Sequence, residues 1–235
     1  MLKIISCNNL DYREKLKKYL ENDILKADKV TNTVKKIIAE VKKGGDKSLL
    51  SLTNKYENNN FKSIKDLEVS KSEINNSLKQ CTKDFIKSTK VAIKRVKNYQ
   101  KKLLPNNLIY KDKSGTKLGC LWKPISSCGL YIPGGKAIYP SSVFMNAVAA
   151  KLAGVDRIVL VSPARGKKIS SEILATAKLA GVNEIFMIGG AQAIAALTYG
   201  TKTIGRVDKI FGPGNAFVAE AKKQVFGDVG IDSVA

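Results

Sequence analysis

Histidine is absent from this sequence of 235 residues, and tryptophan occurs once. Catalysis by this chain alone therefore cannot use imidazole as an acid, a base or a metal ligand. The four cysteines, Cys7, Cys81, Cys120 and Cys128, form no CxxC pair. In a chain of this length they favour reduced thiols over a disulfide framework, and no structural metal site is predicted.

Long hydrophobic runs are also absent, since no apolar stretch approaches the roughly 20 residues that a membrane span needs. The N-terminal sequence MLKIISCNNL has no small-residue cleavage site typical of a secretory leader. We therefore expect a cytoplasmic protein without a membrane partner. Hydrophobic residues make up 44% of the chain and charged residues 26%, a composition typical of a globular protein.

Acidic residues are few, because 20 Asp and Glu stand against 41 Lys and Arg, which gives a formal net charge of +21. One interpretation of this charge is binding to nucleic acid or to a membrane surface. The other is a lysine-rich surface of solvated helices. The second is favoured, because the lysines are dispersed, aromatic residues do not alternate with them and no RNA-binding motif occurs. No specific nucleic-acid partner is predicted.

The first half of the sequence predicts mainly helices. Helical spacing of apolar residues in KVTNTVKKIIAEVKK stops at residues 44–45, after which Asp46 can cap a second helix. DLEV is a candidate short strand, and Ser70-x-x-Glu73 is a capping-box pattern. A long lysine-rich helix is predicted to end before Pro105, and NLIYKDKSGTKLGC then predicts a hairpin.

The second half, after about Pro124, alternates between strand-like and helix-like stretches. GLYIP, RIVLVSP, EIFMIGG and VDKIFGPG are each followed by a helical pattern. Four such pairs predict an α/β fold with a doubly wound parallel sheet. The uninterrupted apolar runs IVLV and IFMI are typical of strands that are buried on both faces.

Three of these strands end in glycine-rich turns, at residues 133–135, 189–190 and 212–214. Ligands of open α/β sheets bind beyond the carboxyl ends of the strands, and free N–H groups at the following helix starts favour an anion such as a pyrophosphate. Gln192 and Asn215 follow two of the turns and are predicted to face the ligand. No turn matches the GxGxxG fingerprint, so the residues predict only a nucleotide or small-molecule site.

Taken together, GLYIPGG, AKLAGVDRIVLVSP, GGAQAIAALTYGT and VDKIFGPGNAFVAEAKKQVFG resemble the histidinol dehydrogenase family. The resemblance runs from about Thr31 to Ala235. It implies a Rossmann-like parallel sheet domain of aldehyde-dehydrogenase-like architecture, preceded by a mainly helical, incomplete α/β domain. The expected division is a helical arm at 1–24, the incomplete domain at 25–124, the NAD-contacting domain at 125–230 and the start of a return to the first domain at 231–235.

The resemblance implies an NAD- and zinc-dependent enzyme that oxidises L-histidinol through histidinal to L-histidine, at the end of histidine biosynthesis. The family holds NAD with the tyrosine of YIPGG, the glutamine of GGAQA and the asparagine of GPGN. These are Tyr131, Gln192 and Asn215 here. The intact enzyme is expected to be a homodimer.

The family pattern continues beyond Ala235, with a substrate-contacting serine, zinc ligands that include histidines, and a Glu-His pair that supplies the base. We therefore expect this chain to be a truncated part of the enzyme, with no catalytic or metal-binding residues of its own and no activity alone. The incomplete first domain is expected to expose apolar surface and to lower solubility.

Other functions stay open on the residues alone. One is a stand-alone, non-catalytic nucleotide-binding module, and another is a basic nucleic-acid-binding protein. A third is a different aldehyde or polyol dehydrogenase, which would need a nucleophilic cysteine. Cys128 lies in a predicted strand and Cys120 in the predicted hairpin, and both are interpreted as packing residues.

Overall fold

The structure is a computed structural model that describes residues 7–8, 11–134, 138–164 and 166–233, without the side chains of 18–27. The helices are α1 (Tyr12–Glu57), α2 (Lys71–Gln80), α3 (Lys83–Leu103), α4 (Pro140–Ala153), α5 (Ser171–Ala180), α6 (Gly190–Tyr199) and α7 (Ala216–Gln224). The strands are β1 (Leu108–Lys111), β2 (Lys117–Cys120), β3 (Ser127–Tyr131), β4 (Arg157–Val161), β5 (Glu184–Phe186), β6 (Lys209–Phe211) and β7 (Gly230–Ile231).

A parallel sheet of five strands, in the order β5-β4-β3-β6-β7, forms the centre of the fold. Leu160 in β4 is aligned with Leu130 in β3 on one side and with Ile185 in β5 on the other, and all three are buried. The predicted parallel sheet is confirmed, with a helix after each of the four predicted strands. The short strand β7 extends the sheet to Ile231, so the domain boundary predicted after residue 230 falls inside a strand. The division of the chain into domains stays a prediction.

The helices form layers on both faces of this sheet. The strand order and right-handed crossovers place α4 and α5 on one face and α6 and α7 on the other. The N-terminal helices pack on these, with α2 and α3 against α5 and α4, and α1 against α6 and α7. In α1 the buried face is the one that the apolar spacing predicts, since Val34 and Val41 are completely buried.

A glycine interrupts α1 where the sequence predicts a helix boundary. Gly45 has φ 52° and ψ −132°, which is outside the helical region, and the helix resumes after it in a new direction. The prediction that Asp46 caps the second segment is wrong, because its side chain bonds to a different part of the chain. Its carboxylate accepts hydrogen bonds from the Thr203 backbone N–H (3.2 Å) and hydroxyl (2.7 Å), and so ties the bend to the loop after α6.

The segment DLEV is largely a turn of 3₁₀ helix over Ile64–Leu67, so the strand prediction is wrong. Ser63 and Asp66 form a capping box that winds this segment before it can extend. The end of the segment still meets the edge strand β5, through an antiparallel bridge between Glu68 and Phe186. The Val69 N–H donates to the Ile185 carbonyl at 2.9 Å, and the Leu67 carbonyl accepts the Met187 N–H at 2.7 Å. Of the capping box predicted at Ser70, the serine half is confirmed, because its hydroxyl accepts the Glu73 N–H at 3.1 Å.

The predicted hairpin is confirmed as the antiparallel pair β1 and β2, and every residue of both strands is exposed. The expected exposed apolar surface is also confirmed here, and it comprises Leu108, Ile109, Tyr110, Leu118, Leu121 and Trp122. The interpretation of Cys120 as a packing residue is wrong, since it is exposed, whereas Cys128 is completely buried in β3. Among the described residues, no helix combines the length and apolarity needed to cross a membrane.

Candidate functional site

A cavity of about 800 Å³ lies beyond the carboxyl ends of β3, β4 and β5, between α1 and the first turns of α6 and α7. Its walls are mainly apolar, with a few convergent polar side chains, which is the usual character of a small-molecule site. Tyr131, Gln192 and Asn215 all line it. The structure therefore brings together the three residues on which the sequence prediction rests.

Tyr131 is the last residue of β3 and places its hydroxyl at the start of α6. The side chain is only 3% exposed, and its oxygen accepts the Gly190 N–H at 3.2 Å. Burial raises the pKa of Tyr131 to about 12, so the phenol keeps its proton near neutral pH. The hydroxyl hydrogen is thus still present as a donor to a ligand in the cavity.

Gln192 lies in the first turn of α6 and is 1% exposed. Its Nε2 donates to the Glu57 carboxylate at 3.3 Å. Glycine suits position 190, because a Cβ there would lie 2.6 Å from the Gln192 Oε1 and the φ of +61° is in the left-handed region.

Asn215 is the N-cap of α7. Its Oδ1 accepts the N–H groups of Phe217 (3.1 Å) and Val218 (3.2 Å). Among the residues that the structure describes, its NH₂ group has no hydrogen-bond acceptor, and the side chain is exposed at the cavity. One end of this amide thus holds the helix, and the other end can donate to a ligand.

Glu57, which the sequence interpretation did not single out, is the one acidic residue among the described residues that line the cavity. Its carboxylate accepts the N–H groups of Gly189 (2.7 Å) and Ala164 (3.2 Å) and the Gln192 amide. Burial raises the pKa of Glu57 to about 7, although these hydrogen bonds oppose the shift. The sequence contains one signal for Glu57. An acidic side chain is unfavourable at the last position of a helix, so its presence there indicates another contact.

At two helix starts, some of the N–H groups expected to be free for an anion are already accepted by side chains of the protein. At α6, the N–H groups of Gly189 and Gly190 are accepted by Glu57 and Tyr131. At α7, the side chain of Asn215 accepts two more. Of the first turn, Gly134 lines the cavity, while residues 135–137 are outside the described part.

The third glycine turn is held in place by an ion pair between a buried lysine and a partly exposed aspartate. Lys222, 3% exposed, pairs with Asp232 and donates to the Gly212 carbonyl at 3.1 Å. Asp232 in turn accepts the Gly212 N–H at 2.8 Å. Burial acts to raise the pKa of Asp232, but the hydrogen bonds from Lys222 and Gly212 outweigh it and hold that pKa below its usual range.

The residues present do not fit a zinc ion. Within residues 7–8, 11–134, 138–164 and 166–233, no three His, Cys, Asp or Glu side chains cluster in a way that could hold a metal. Burial raises the pKa of Cys128 to about 11, so this thiol is not a nucleophile at neutral pH. A dinucleotide fits better, because the cavity is large, lies at the sheet edge used by such ligands and offers hydrogen-bonding groups from three elements.

Comparison with known proteins identifies the family. A sequence model described as histidinol dehydrogenase matches residues 20–235. The chain belongs to the histidinol dehydrogenase family. The histidinol dehydrogenase of Agrobacterium fabrum is 44% identical over 225 residues, which cover 96% of this chain and 52% of the relative. That of Neisseria gonorrhoeae is 43% identical over 234 residues, which cover 100% of this chain and 54% of the relative.

A solved structure agrees with this assignment. The crystal structure of histidinol dehydrogenase from Elizabethkingia anophelis has a TM-score of 0.82 and 34% identity, and the match covers 87% of this chain and 47% of that one. The resemblance seen in the sequence motifs is thus confirmed. The chain spans about half the length of the histidinol dehydrogenases that it matches.

Proposed function

We propose that this chain is the NAD-binding part of a histidinol dehydrogenase. The complete enzyme would oxidise L-histidinol through histidinal to L-histidine. Zinc ligands and the catalytic base would come from polypeptide outside this chain, since the described residues form no such cluster. We further propose that the complete enzyme is a cytoplasmic homodimer.

The observation that supports NAD binding is the convergence of Tyr131, Gln192 and Asn215 on one cavity. These side chains come from a strand end and two helix starts, separated by 61 and 23 residues in the sequence, and the fold brings all three to one cavity. When bound, NAD would supply the hydride acceptor of the reaction.

The protein groups would bind and orient the cofactor rather than react with it. The Tyr131 phenol and the Asn215 NH₂ offer donors, and apolar residues such as Val30 and Ile37 of α1 would exclude water from the bound molecule. The Gly212 turn, braced by Lys222 and Asp232, keeps the start of α7 in place. Asn215 is therefore presented from a rigid element.

Asn215→Ser tests the cofactor site with little change in stability. Serine also caps helices well, so it should keep α7 intact while it removes the NH₂ donor. We expect NAD affinity, measured by isothermal titration calorimetry, to fall about tenfold, the effect of one good hydrogen bond to a charged or strongly polar ligand. Asn98→Ser, on the exposed surface of α3, is the matched control and should bind like the unsubstituted chain. Equal affinity in both variants would contradict the proposal.

An activity assay tests whether the catalytic groups lie outside this chain. The chain alone should form no NADH from histidinol, whereas a longer protein that includes it should do so. Histidinol oxidation by the isolated chain, at a rate abolished by a chelator, would overturn this assignment. The intact mass of the protein in its natural source, compared with 25.6 kDa, decides which of the two the cell contains.

A further inference from the structure

The start of α6 is already in contact with an acidic side chain of the protein itself, Glu57. A helix N-terminus favours negative charge through its exposed N–H groups and its dipole. Here the Glu57 Oε1 accepts the Gly189 N–H at 2.7 Å, in the position that a ligand phosphate would otherwise take. A phosphate could reach this N–H only by displacing Glu57.

The same carboxylate connects three separate elements. It lies at the end of α1 and accepts the Ala164 N–H beyond β4, the Gly189 N–H beyond β5 and the Gln192 Nε2 on α6. An ionised carboxylate has acceptor capacity for all three donors and for a further contact. A protonated carboxyl carries a hydrogen on one oxygen, so it cannot serve the three donors equally well.

We propose that Glu57 is a positioning residue of the candidate site: as a carboxylate it fills the anion position at the start of α6 and holds the Gln192 amide, so that this end of the cavity receives an uncharged polar group of the ligand rather than a phosphate. The identity of that ligand as NAD rests on the proposed function. The contacts of Glu57 themselves do not depend on it.

Few other charges face Glu57. Of the described residues that line the cavity, Lys29 from α1 is the only cation, and Tyr56 and Tyr131 are the other titratable groups. Neither the described part of α6 nor that of α7 contributes a charged side chain to the cavity. Arg165, which follows Ala164 in the sequence, lies outside the described residues. With a pKa of about 7, Glu57 changes charge near neutral pH.

The first experiment needs no ligand. The amide signals of Ala164, Gly189 and the Gln192 side chain are followed by NMR from about pH 5 to about pH 9. We expect all three to titrate with a common midpoint near pH 7, and to lose this titration in Glu57→Gln. Glu40→Gln, on an exposed position of α1, is the control and should keep it. Three unrelated midpoints, or the same titration in Glu57→Gln, would overturn the proposal.

The second experiment measures NAD affinity across the same pH range. If an uncharged group meets the ionised Glu57 and the ordered Gln192, NAD should bind about tenfold more weakly below the midpoint than above it. Glu57→Gln should bind with the weaker affinity at every pH. Tighter binding at low pH would show that a phosphate meets Glu57, and would refute the proposal.

The two experiments separate the two claims. If the unsubstituted chain binds no NAD at any pH, the proposed function fails, while the ligand-free titration still decides whether Glu57 positions the turns and Gln192. If Glu57→Gln does not fold, the titration of the unsubstituted chain alone decides, because a common midpoint requires one group in contact with all three amides.

Discussion

Strands β3 and β1 are both rich in apolar residues, but β3 lies in the protein interior and β1 lies on the surface. Every residue of β3 is buried, whereas every residue of β1 is exposed. Strand β3 lies in the middle of a parallel sheet whose crossover helices cover both faces. Strand β1 pairs only with β2 among the described residues, and no layer covers the pair. Apolar composition thus predicts a strand, but burial depends on whether the chain supplies a covering layer.

The largest contrast should appear when the same substitution is made in each region. Leu160→Ala in β4 removes a completely buried side chain and should lower the free energy of unfolding by about 3 kcal/mol. Leu118→Ala in β2, where the side chain is 42% exposed, should change it by less than about 0.5 kcal/mol. Urea denaturation measures both. A large loss in Leu118→Ala would mean that the hairpin is covered in solution.

A smaller effect concerns Glu57, which joins the N-terminal helix to the sheet. Its pKa is raised from 4.5 to about 7, so between these values the folded protein holds a proton that the unfolded chain has lost. The free energy of unfolding should therefore fall as pH rises from 4.5 to 7, by on the order of 2 kcal/mol relative to Glu57→Gln. Denaturation of both proteins across this range gives the difference, and a pH-independent difference would rule out the raised pKa.

The next effect compares two glycines with positive φ: Gly190, beyond the end of β5 in the parallel sheet, and Gly115, in the turn between β1 and β2. Gly190→Ala and Gly115→Ala should each cost about 1 kcal/mol of stability, because alanine is strained in this conformation. Only at Gly190 does the new Cβ meet the Gln192 amide, whereas at Gly115 it meets open space. NAD affinity should therefore fall in Gly190→Ala and stay unchanged in Gly115→Ala. Loss of binding in both would mean that strain alone, not the position of Gln192, is responsible.

The smallest effect is a direct measure of the hairpin's exposure. Trp122 is the one tryptophan of the chain and is 59% exposed just after β2. Its fluorescence should be quenched efficiently by acrylamide, and limited proteolysis should cut faster in residues 25–124 than in 125–230. A protected Trp122 with uniform cutting would show that the apolar hairpin surface is covered, and the contrast with β3 would disappear.

Sequence reasoning was most successful where interactions are local or periodic. It predicted the four strand–helix pairs, the Ser70 cap, the hairpin and the parallel sheet, and it placed Gln192 and Asn215 after strand ends. Tyr131 came from the family resemblance, and all three side chains line the cavity. Sequence reasoning was wrong at DLEV, where a local capping box overrides strand propensity, and at Asp46, whose partner lies 157 residues away. It also missed Glu57, because the donors that define its role lie more than 100 residues further along the chain.

The sequence by itself determined most of the elements, the parallel direction of the strands and the family, because apolar periodicity, caps and glycine turns depend on neighbouring residues. Only the tertiary structure decided which polar groups are used. It showed that several of the N–H groups expected to be free for a phosphate are already accepted by Glu57, Tyr131 and Asn215. Hydrogen-bond partners and burial depend on distances between elements that are far apart in the chain, and no local pattern encodes those distances.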